Sequence, residues 1–181
     1  MDLNTQLFYF INNGLSNPHL DVLMPHLSDF GGITFYACLF IVLLLITRKD
    51  VFGLNKYYPL VKLCICSLIL CVLITACLKL FFSSPRPYLV LEHVNILTSS
   101  VDPNSFPSGH SSTTLSVMTV LFLKAKDYFK HFNLIRCGTI IYAFLIPFSR
   151  IYIGMHFPFD VVVGIVIGMV SGVVAVKYLK V

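Results

Sequence analysis

Residues 59–82 read PLVKLCICSLILCVLITACLKLFF, and this stretch decides the fold. Its only charged residues are Lys62 and Lys79, one near each end. An α-helix needs about 20 predominantly apolar residues to cross the hydrocarbon core of a bilayer. The stretch is long enough for that crossing and too apolar for the surface of a soluble protein. It therefore predicts a transmembrane helix.

Four further apolar segments are long enough to span or nearly span a bilayer. We place them at 31–47, 107–124, 135–150 and 158–178. Of the 181 residues in the chain, 57% are hydrophobic and 12% are charged, and the mean hydropathy is +0.85. So few charges could not cover the apolar surface of a soluble domain of this size. The sequence predicts an all-α fold, a polytopic membrane helical bundle with about five transmembrane helices.

Residues 1–30 differ from these segments because Gly14, Pro18 and Pro25 interrupt their apolar pattern. Apolar side chains at helical spacing predict two short amphipathic helices that lie at the membrane interface. A sixth, broken span is the alternative. We expect residues 1–181 to form a single membrane-embedded domain, with residues 31–181 as its transmembrane core.

The basic residues are distributed unevenly between the connections that link five spans. Ten of the 13 would lie on one side of the membrane: Arg48, Lys49, Lys56, Lys62, Lys124, Lys126, Lys130, Arg136, Lys177 and Lys180. Because cytoplasmic connections are enriched in Lys and Arg, we expect that side and the C-terminus to be cytoplasmic. Residues 83–106 and 151–157 would then face the extracytoplasmic side of the cell membrane. Since the basic residues alternate with apolar runs and form no single patch, they do not indicate a nucleic-acid partner.

The last predicted span carries glycines at four-residue spacing, Gly164, Gly168 and Gly172. This spacing places all three on one face of a helix, where small residues allow a second helix to approach closely. The pattern favours close packing within the chain, and a homodimer contact is the alternative. The sequence does not define the oligomeric state.

The first polar cluster is KLFFSSPRP, residues 79–87, at the end of the second predicted span. Lys79 and Arg86 are about two helical turns apart on one face if the helix persists. Pro85 and Pro87 end the helix. Ionisable groups at membrane depth indicate function, although cations at a membrane boundary also serve as snorkelling anchors.

The second cluster is FPSGHSST, residues 106–113, at the start of the third predicted span. Pro107 suits a first helical position. Ser108 and Gly109 place a hydroxyl and backbone N–H groups at a helix N-terminus, which is an anion site. His110 follows and can donate a proton near neutral pH. Helix capping by Ser108 is the alternative interpretation.

The third cluster is SRIYIGMHFPFD, residues 149–160, between the last two predicted spans. Pro158 predicts that a helix begins between His156 and Asp160. Asp160 could then accept a hydrogen bond from one imidazole nitrogen and leave the other free to attack. Arg150 adds a guanidinium suited to phosphate. The alternative is a structural ion pair that caps the helix.

With five spans, all three clusters emerge on the same face of the membrane. Together they contain three cations, a helix N-terminus, two histidines and one carboxylate, which is a set of groups suited to phosphoryl transfer. No metal site is predicted. Asp160 is the only carboxylate in the clusters, and the three cations would oppose the binding of a divalent ion.

The order and spacing of the clusters resemble the type-2 phosphatidic acid phosphatase (PAP2) superfamily. The motifs of that family read K-x6-R-P, P-S-G-H and S-R-x5-H-x3-D. This sequence matches them at residues 79–87, 107–110 and 149–160 without a departure at any motif position. The resemblance extends from about residue 60 to 178.

The resemblance implies a helical bundle like that of bacterial acid phosphatases and vanadium haloperoxidases, and a reaction that needs no metal or other cofactor. His156 would be the nucleophile that forms a phosphohistidine, oriented by Asp160. His110 would protonate the leaving oxygen of the lipid. Five residues would bind the phosphoryl oxygens: Lys79, Arg86, Ser108, Gly109 and Arg150.

The resemblance also implies a membrane lipid phosphate as the substrate. A small chain with an outward-facing site and a short connection between motifs resembles family members that act on a polyprenyl (undecaprenyl-type) diphosphate. Phosphatidylglycerol phosphate, phosphatidic acid and lipid A phosphate are alternatives, because the motifs bind the phosphate that all these lipids share. A vanadate-dependent oxidant and a non-catalytic membrane transporter or lipid-binding protein are alternatives of other classes.

Overall fold

The computed structural model describes residues 1–99 and 102–179, so Lys180 of the predicted cytoplasmic set lies outside the described residues. The described chain is helical. Its α-helices are α1 (Leu3–Asn12), α2 (Pro18–Asp29), α3 (Ile33–Arg48), α4 (Tyr58–Phe81), α5 (Pro87–Val90), α6 (Gly109–Tyr128), α7 (Phe132–Tyr152) and α8 (Pro158–Tyr178). Two 3-10 turns, Val51–Gly53 and Asn55–Tyr57, join α3 to α4. The predicted all-α class is confirmed.

α6 lies at the centre of the bundle and packs against α4, α7 and α8. Its buried face is rich in hydroxyls, which are bonded within the protein and do not face lipid. Thr75 of α4 and Ser112 of α6 bond at 3.0 Å between their hydroxyls, and the Ser67 hydroxyl donates to the Ser116 carbonyl at 3.1 Å. Such pairing satisfies polar groups that hydrocarbon could not.

The glycine face of α8 packs against α6 of the same chain. A Cβ atom added to Gly164 would lie 2.6 Å from the Ser108 carbonyl oxygen, and one added to Gly172 would lie 2.6 Å from the Thr119 Cβ. These distances are too short for real contacts, so only glycine allows the two backbones to approach this closely. The prediction of close packing within the chain is confirmed.

The two helices predicted within residues 1–30 are present as α1 and α2. Pro18 is the first residue of α2, but Pro25 lies inside α2 and does not end it, so the predicted interruption at Pro25 was wrong. α1 is anchored by the fully buried Asn12, whose amide donates to the Asn95 carbonyl at 2.8 Å and to the Tyr152 carbonyl at 2.7 Å. The interfacial position of both helices stays a prediction.

By length and apolar composition, three helical segments of the described residues could cross a membrane: Asn55–Phe81, Phe132–Tyr152 and Pro158–Tyr178. A fourth span results if α2 and α3, which are bent by 52° relative to each other, count as one broken span. α3 alone has 16 residues, and α6 has 20 but carries many hydroxyls. The protein is thus an integral membrane protein by its helices, while the count of five spans stays a prediction.

Candidate active site

The three polar clusters meet at one end of the bundle, where α4 and α7 end and α6 and α8 begin. The Ser108 N–H, at the start of α6, donates to the Asp160 carbonyl in the first turn of α8 at 3.0 Å. Arg86, which follows α4, contacts Met155 and His156 in the connection from α7 to α8. The antiparallel packing of these helices therefore brings together three clusters that are spread between residues 79 and 160 of the sequence.

His156 is almost fully buried, with 2% of its surface exposed. A tight turn after α7 directs it inward, and Gly154 in that turn has φ +81°. A side chain at Gly154 would also collide with the Asn95 carbonyl, 2.8 Å from the position of its Cβ. The pKa of His156 lies well below its usual value, first because the ring is buried and then because Arg150 and Arg86 are nearby cations. The imidazole is therefore neutral near pH 7.

Asp160 does not bond His156 directly, in contrast to the hydrogen bond considered from the sequence. His156 Nδ1 and Asp160 Oδ2 are 3.9 Å apart. The Ser105 hydroxyl lies between them, 3.2 Å from Nδ1, and it donates to Asp160 Oδ2 at 2.5 Å. The N–H of Phe157 donates to the same carboxylate oxygen at 3.0 Å. The first turn of α8 thus holds Asp160 slightly too far from the ring for a direct bond.

Arg86 lies against the other imidazole nitrogen. Its Nη1 is 2.9 Å from the Met155 carbonyl oxygen and 3.3 Å from His156 Nε2. Its Nε donates to the Asp102 carbonyl at 2.6 Å. A guanidinium with 4% exposure is thus held beside Nε2, the ring nitrogen on the side away from Ser105 and Asp160.

Lys79, in the last turn of α4, is bonded to the connection that precedes α6. Its Nζ donates to Asp102 Oδ2 at 2.9 Å and to the Asn104 carbonyl at 2.6 Å. Burial of the carboxyl acts to raise the pKa of Asp102, but hydrogen bonds from Lys79 and the Asn104 N–H outweigh it, and the pKa is lowered. Asp102 is therefore ionised and balances part of the positive charge of the site.

Arg150, at the end of α7, is 5% exposed and only partly bonded. Its Nη1 donates to the Ser28 hydroxyl of α2 at 2.5 Å. Its Nε is buried and has no hydrogen-bond partner within the described part of the chain. A buried donor without a partner costs free energy. An anion that accepted a hydrogen bond from this N–H would remove that cost.

His110 and Gly109 line a cavity of about 210 Å³ together with Lys79. A Cβ added to Gly109 would meet no atom within 4 Å, so the backbone here is open to a ligand. The connection between α2 and α3 covers the ring, because a Cβ at Gly32 would lie 3.3 Å from His110 Nε2. The Ser108 side chain caps α6 by accepting from the Ser111 N–H.

All eight residues predicted from the motifs lie in this one region. Three further contacts were not predicted: Ser105 between His156 and Asp160, Asp102 on Lys79, and Ser28 on Arg150. Ser105 lies two residues before the P-S-G-H motif, but a serine there gives no signal of its role. Among the described residues, no group of three His, Cys, Asp or Glu side chains could hold a metal ion.

Comparison with known proteins gives a family and several relatives. The model of the PAP2 superfamily matches residues 59–181. The bacitracin transport permease protein BcrC of Bacillus licheniformis is 26% identical over 173 residues, which cover 94% of this chain and 77% of that protein. The undecaprenyl-diphosphatase of Sulfolobus acidocaldarius is 25% identical over 91% of this chain and 73% of its own length. The undecaprenyl-diphosphatase BcrC of Bacillus subtilis is 28% identical over 94% and 81%.

Two solved structures are similar along nearly the whole chain. LpxE of Aquifex aeolicus superposes with a TM-score of 0.80 at 37% identity, covering 98% of this chain and 97% of that one. The PAP2-type phosphatidylglycerolphosphate phosphatase of Bacillus subtilis superposes with a TM-score of 0.78 at 20% identity, covering 98% and 87%. The second likeness concerns the fold alone.

Proposed function

Because this chain belongs to the PAP2 superfamily, we propose that it is an integral membrane lipid phosphatase that hydrolyses a polyprenyl diphosphate of the undecaprenyl type. The observation that carries the proposal is the environment of His156. A buried, neutral imidazole has one nitrogen 3.3 Å from a guanidinium and the other linked through a hydroxyl to a carboxylate. This arrangement suits a nucleophile that attacks a bound phosphoryl group.

In the first step, His156 Nε2 attacks the terminal phosphorus. The new N–P bond forms with the electron pair of Nε2 while the bond from phosphorus to the leaving oxygen breaks. The negative charge of the bound diphosphate favours the protonated form of His110. His110 gives this proton to the leaving oxygen, so the polyprenyl monophosphate leaves without building up charge. The phosphohistidine intermediate retains a proton on Nδ1.

In the second step, a water molecule attacks the phosphohistidine. His110, now neutral, accepts a proton from the water, and the N–P electron pair returns to His156 Nε2. Inorganic phosphate is released and both histidines regain their starting states. The sequence of events needs no redox partner and conserves charge.

The cations stabilise the charge on the phosphoryl oxygens, most strongly in the transition state. Arg86 lies beside His156 Nε2, and Lys79 lines the cavity next to Gly109 and His110. Arg150 offers its unpaired buried Nε. The Gly109 N–H adds a donor at the N-terminus of α6, where the helix dipole favours an anion. Ser108, the fifth residue expected to bind the phosphoryl group, caps the N-terminus of α6 and so holds the Gly109 N–H in place.

Two curated relatives named undecaprenyl-diphosphatase support the polyprenyl assignment. The 37% identity to LpxE favours a second candidate, a phosphatase for another lipid phosphate: phosphatidylglycerol phosphate, phosphatidic acid or lipid A phosphate. All these substrates present a phosphoryl group to the same cations, so contacts to the rest of the lipid decide the preference. The proposed reaction requires no metal, so phosphate release is expected to continue unchanged in excess chelator.

A panel of lipids is expected to separate the two candidates. Purified protein in detergent is given undecaprenyl diphosphate, phosphatidylglycerol phosphate, phosphatidic acid and lipid A, and released phosphate is measured for each. We expect kcat/KM for the polyprenyl diphosphate to exceed that for each other lipid by at least about tenfold, or roughly 1.4 kcal/mol in transition-state binding. A preference for a glycerolipid or lipid A would reject the polyprenyl assignment while leaving the phosphatase intact.

We also propose that the site faces the extracytoplasmic side, on the charge distribution of the connections. In a variant without native cysteines, Glu92→Cys places a thiol in the exposed connection beside the site, and Lys130→Cys places one in the α6–α7 connection. An impermeant thiol reagent is expected to label the first in intact cells and the second only after permeabilisation. The opposite pattern would place the site in the cytoplasm.

A further inference from the structure

Ser105 occupies a position that none of the three motifs includes. Its side chain is completely buried, and its hydroxyl is 3.2 Å from His156 Nδ1 and 2.5 Å from Asp160 Oδ2. The two residues that it joins are 3.9 Å apart, beyond hydrogen-bond distance. The link between carboxylate and imidazole therefore passes through this one hydroxyl.

The direction of the two hydrogen bonds follows from what each group can do. An ionised carboxylate only accepts, so the Ser105 O–H donates to Asp160. The hydroxyl oxygen then accepts, and the donor that faces it is the Nδ1–H of His156. A neutral imidazole with its proton on Nδ1 has its free electron pair on Nε2, the nitrogen beside Arg86.

The backbone holds Ser105 firmly in this position. The Ser105 N–H donates to the Ser84 carbonyl at 2.7 Å, next to an isolated antiparallel bridge between Pro85 and Asn104. The segment that leaves α4 and the segment that enters α6 are thus tied together at Ser105. A hydroxyl fixed in this way pre-orients the ring before substrate binds.

We infer that Ser105 is a positioning residue that transmits the orienting effect of Asp160 to His156 and selects the tautomer able to attack. The inference rests on the proposed nucleophilic role of His156. After attack, the same hydroxyl accepts a hydrogen bond from the Nδ1–H of the positively charged phosphohistidine, while Asp160 polarises the hydroxyl. Groups that orient metal-binding histidines change affinity or activity by about 10- to 100-fold when they are replaced, and we expect an effect of the same order here.

The tautomer of His156 tests this inference without a substrate. The ring nitrogens of ¹⁵N-histidine-labelled protein in micelles are observed by NMR, and His156→Gln identifies the signals of His156. We expect a single neutral form protonated on Nδ1 in the wild type and a mixture of tautomers in Ser105→Ala. Unchanged ring signals in Ser105→Ala would overturn the inference, whether or not the protein proves to be a phosphatase.

Kinetics on any lipid that the wild type hydrolyses provides the second readout. Ser105→Ala is expected to lower kcat by about 10- to 100-fold with KM changed by less than about twofold, and Ser105→Thr should restore most of the rate. Ser171→Ala is the matched control, because that hydroxyl is equally buried but lies eleven residues beyond Asp160 on α8 and donates to the Ile167 carbonyl of its own helix.

A double variant separates positioning from simple loss of folding. If Asp160 acts through Ser105, then Ser105→Ala combined with Asp160→Asn is expected to be no slower than the slower single variant. Additive losses, or a loss in Ser105→Ala equal to that in Ser171→Ala, would overturn the positioning role. Absence of wild-type turnover on every lipid would count against the proposed function, and the NMR result would still decide the role of Ser105.

Discussion

Replacement of His156 by Ala is expected to abolish phosphate release, with kcat reduced by at least about 10⁴-fold. Without the imidazole no phosphohistidine forms, so a water molecule would have to attack the lipid phosphorus directly. The cations would still bind the lipid, so affinity should change much less than turnover. Wild-type protein mixed with radiolabelled lipid should retain an acid-labile phosphoryl group, and His156→Ala should retain none.

Two further variants guard this result against unfolding. His156→Gln keeps most of the side-chain volume at a position that is only 2% exposed. This variant should be equally inactive while melting near the wild-type temperature. His131→Ala removes an exposed histidine at the opposite end of α7 and should leave turnover unchanged. Turnover of His156→Ala within about tenfold of the wild type would reject the nucleophilic mechanism altogether.

The same experiment addresses the classes of function that compete with hydrolysis. A transporter or lipid-binding protein would keep its activity in His156→Ala, because its task does not require covalent attack. A vanadate-dependent oxidant would show halogenation with vanadate and peroxide and no phosphate release in the wild type. Loss of phosphate release together with loss of the phosphoenzyme is expected for a phosphatase alone.

Replacement of Gly168 by Ala is expected to lower the free energy of unfolding by about 1–3 kcal/mol, the range found when a packed core is overfilled. The new methyl group would collide with the Ser112 carbonyl and would lie 2.7 Å from the Leu115 Cβ and 2.8 Å from the Ser116 N. Two of these atoms belong to the α6 backbone, which cannot rotate away as a side chain could. The two helices must therefore separate.

The matched control is Gly138→Ala in α7, where an added Cβ would meet no atom within 4 Å. There the substitution should be neutral or stabilising, since alanine favours a helix by up to about 1 kcal/mol over glycine. Thermal unfolding in micelles measures both variants. Equal melting temperatures for the two would contradict the close α6–α8 contact.

Separation of α6 from α8 should also affect the site. Ser108 and Gly109 begin α6, and Asp160 lies in the first turn of α8, joined by the 3.0 Å bond from the Ser108 N–H to the Asp160 carbonyl. Gly168→Ala is therefore expected to reduce turnover even at temperatures where it remains folded. Gly138→Ala should not.

Much of the helical architecture could be predicted because its signals are local. The apolar run at 59–82 agrees with α4 at Tyr58–Phe81, and the run at 158–178 agrees with α8 at Pro158–Tyr178. Pro158 marked the start of α8 correctly, because a proline at the first turn loses no intrahelical bond. Pro107 was expected at the first position of its helix, but it precedes the Ser108 cap, and α6 begins at Gly109. Pro25 was misjudged because α2 continues through it to Asp29, although a proline at this position removes the hydrogen bond to the carbonyl of Asp21.

The residues proposed for catalysis could also be named from the sequence, since each motif brings its chemistry within a dozen residues. His156 and Asp160 are neighbours on the chain, and Ser108, Gly109 and His110 are consecutive. Residues this close in sequence stay close in space in any fold that forms the flanking helices. That the three clusters would meet at one end of the bundle was expected from the topology alone.

Local sequence therefore sufficed for the helical class, the membrane class and the choice of residues proposed as reactive groups, because each depends on composition and spacing within one segment. The contacts that arrange those groups depend on the packing of segments far apart in the chain. Ser105 meets Asp160 across 55 positions, and Ser28 meets Arg150 across 122. The first turn of α8 keeps His156 and Asp160 3.9 Å apart, so their link needs a third residue that only the approach of another segment supplies. The periodicity of the sequence does not predict such a contact, because the contact forms only when the helices pack together.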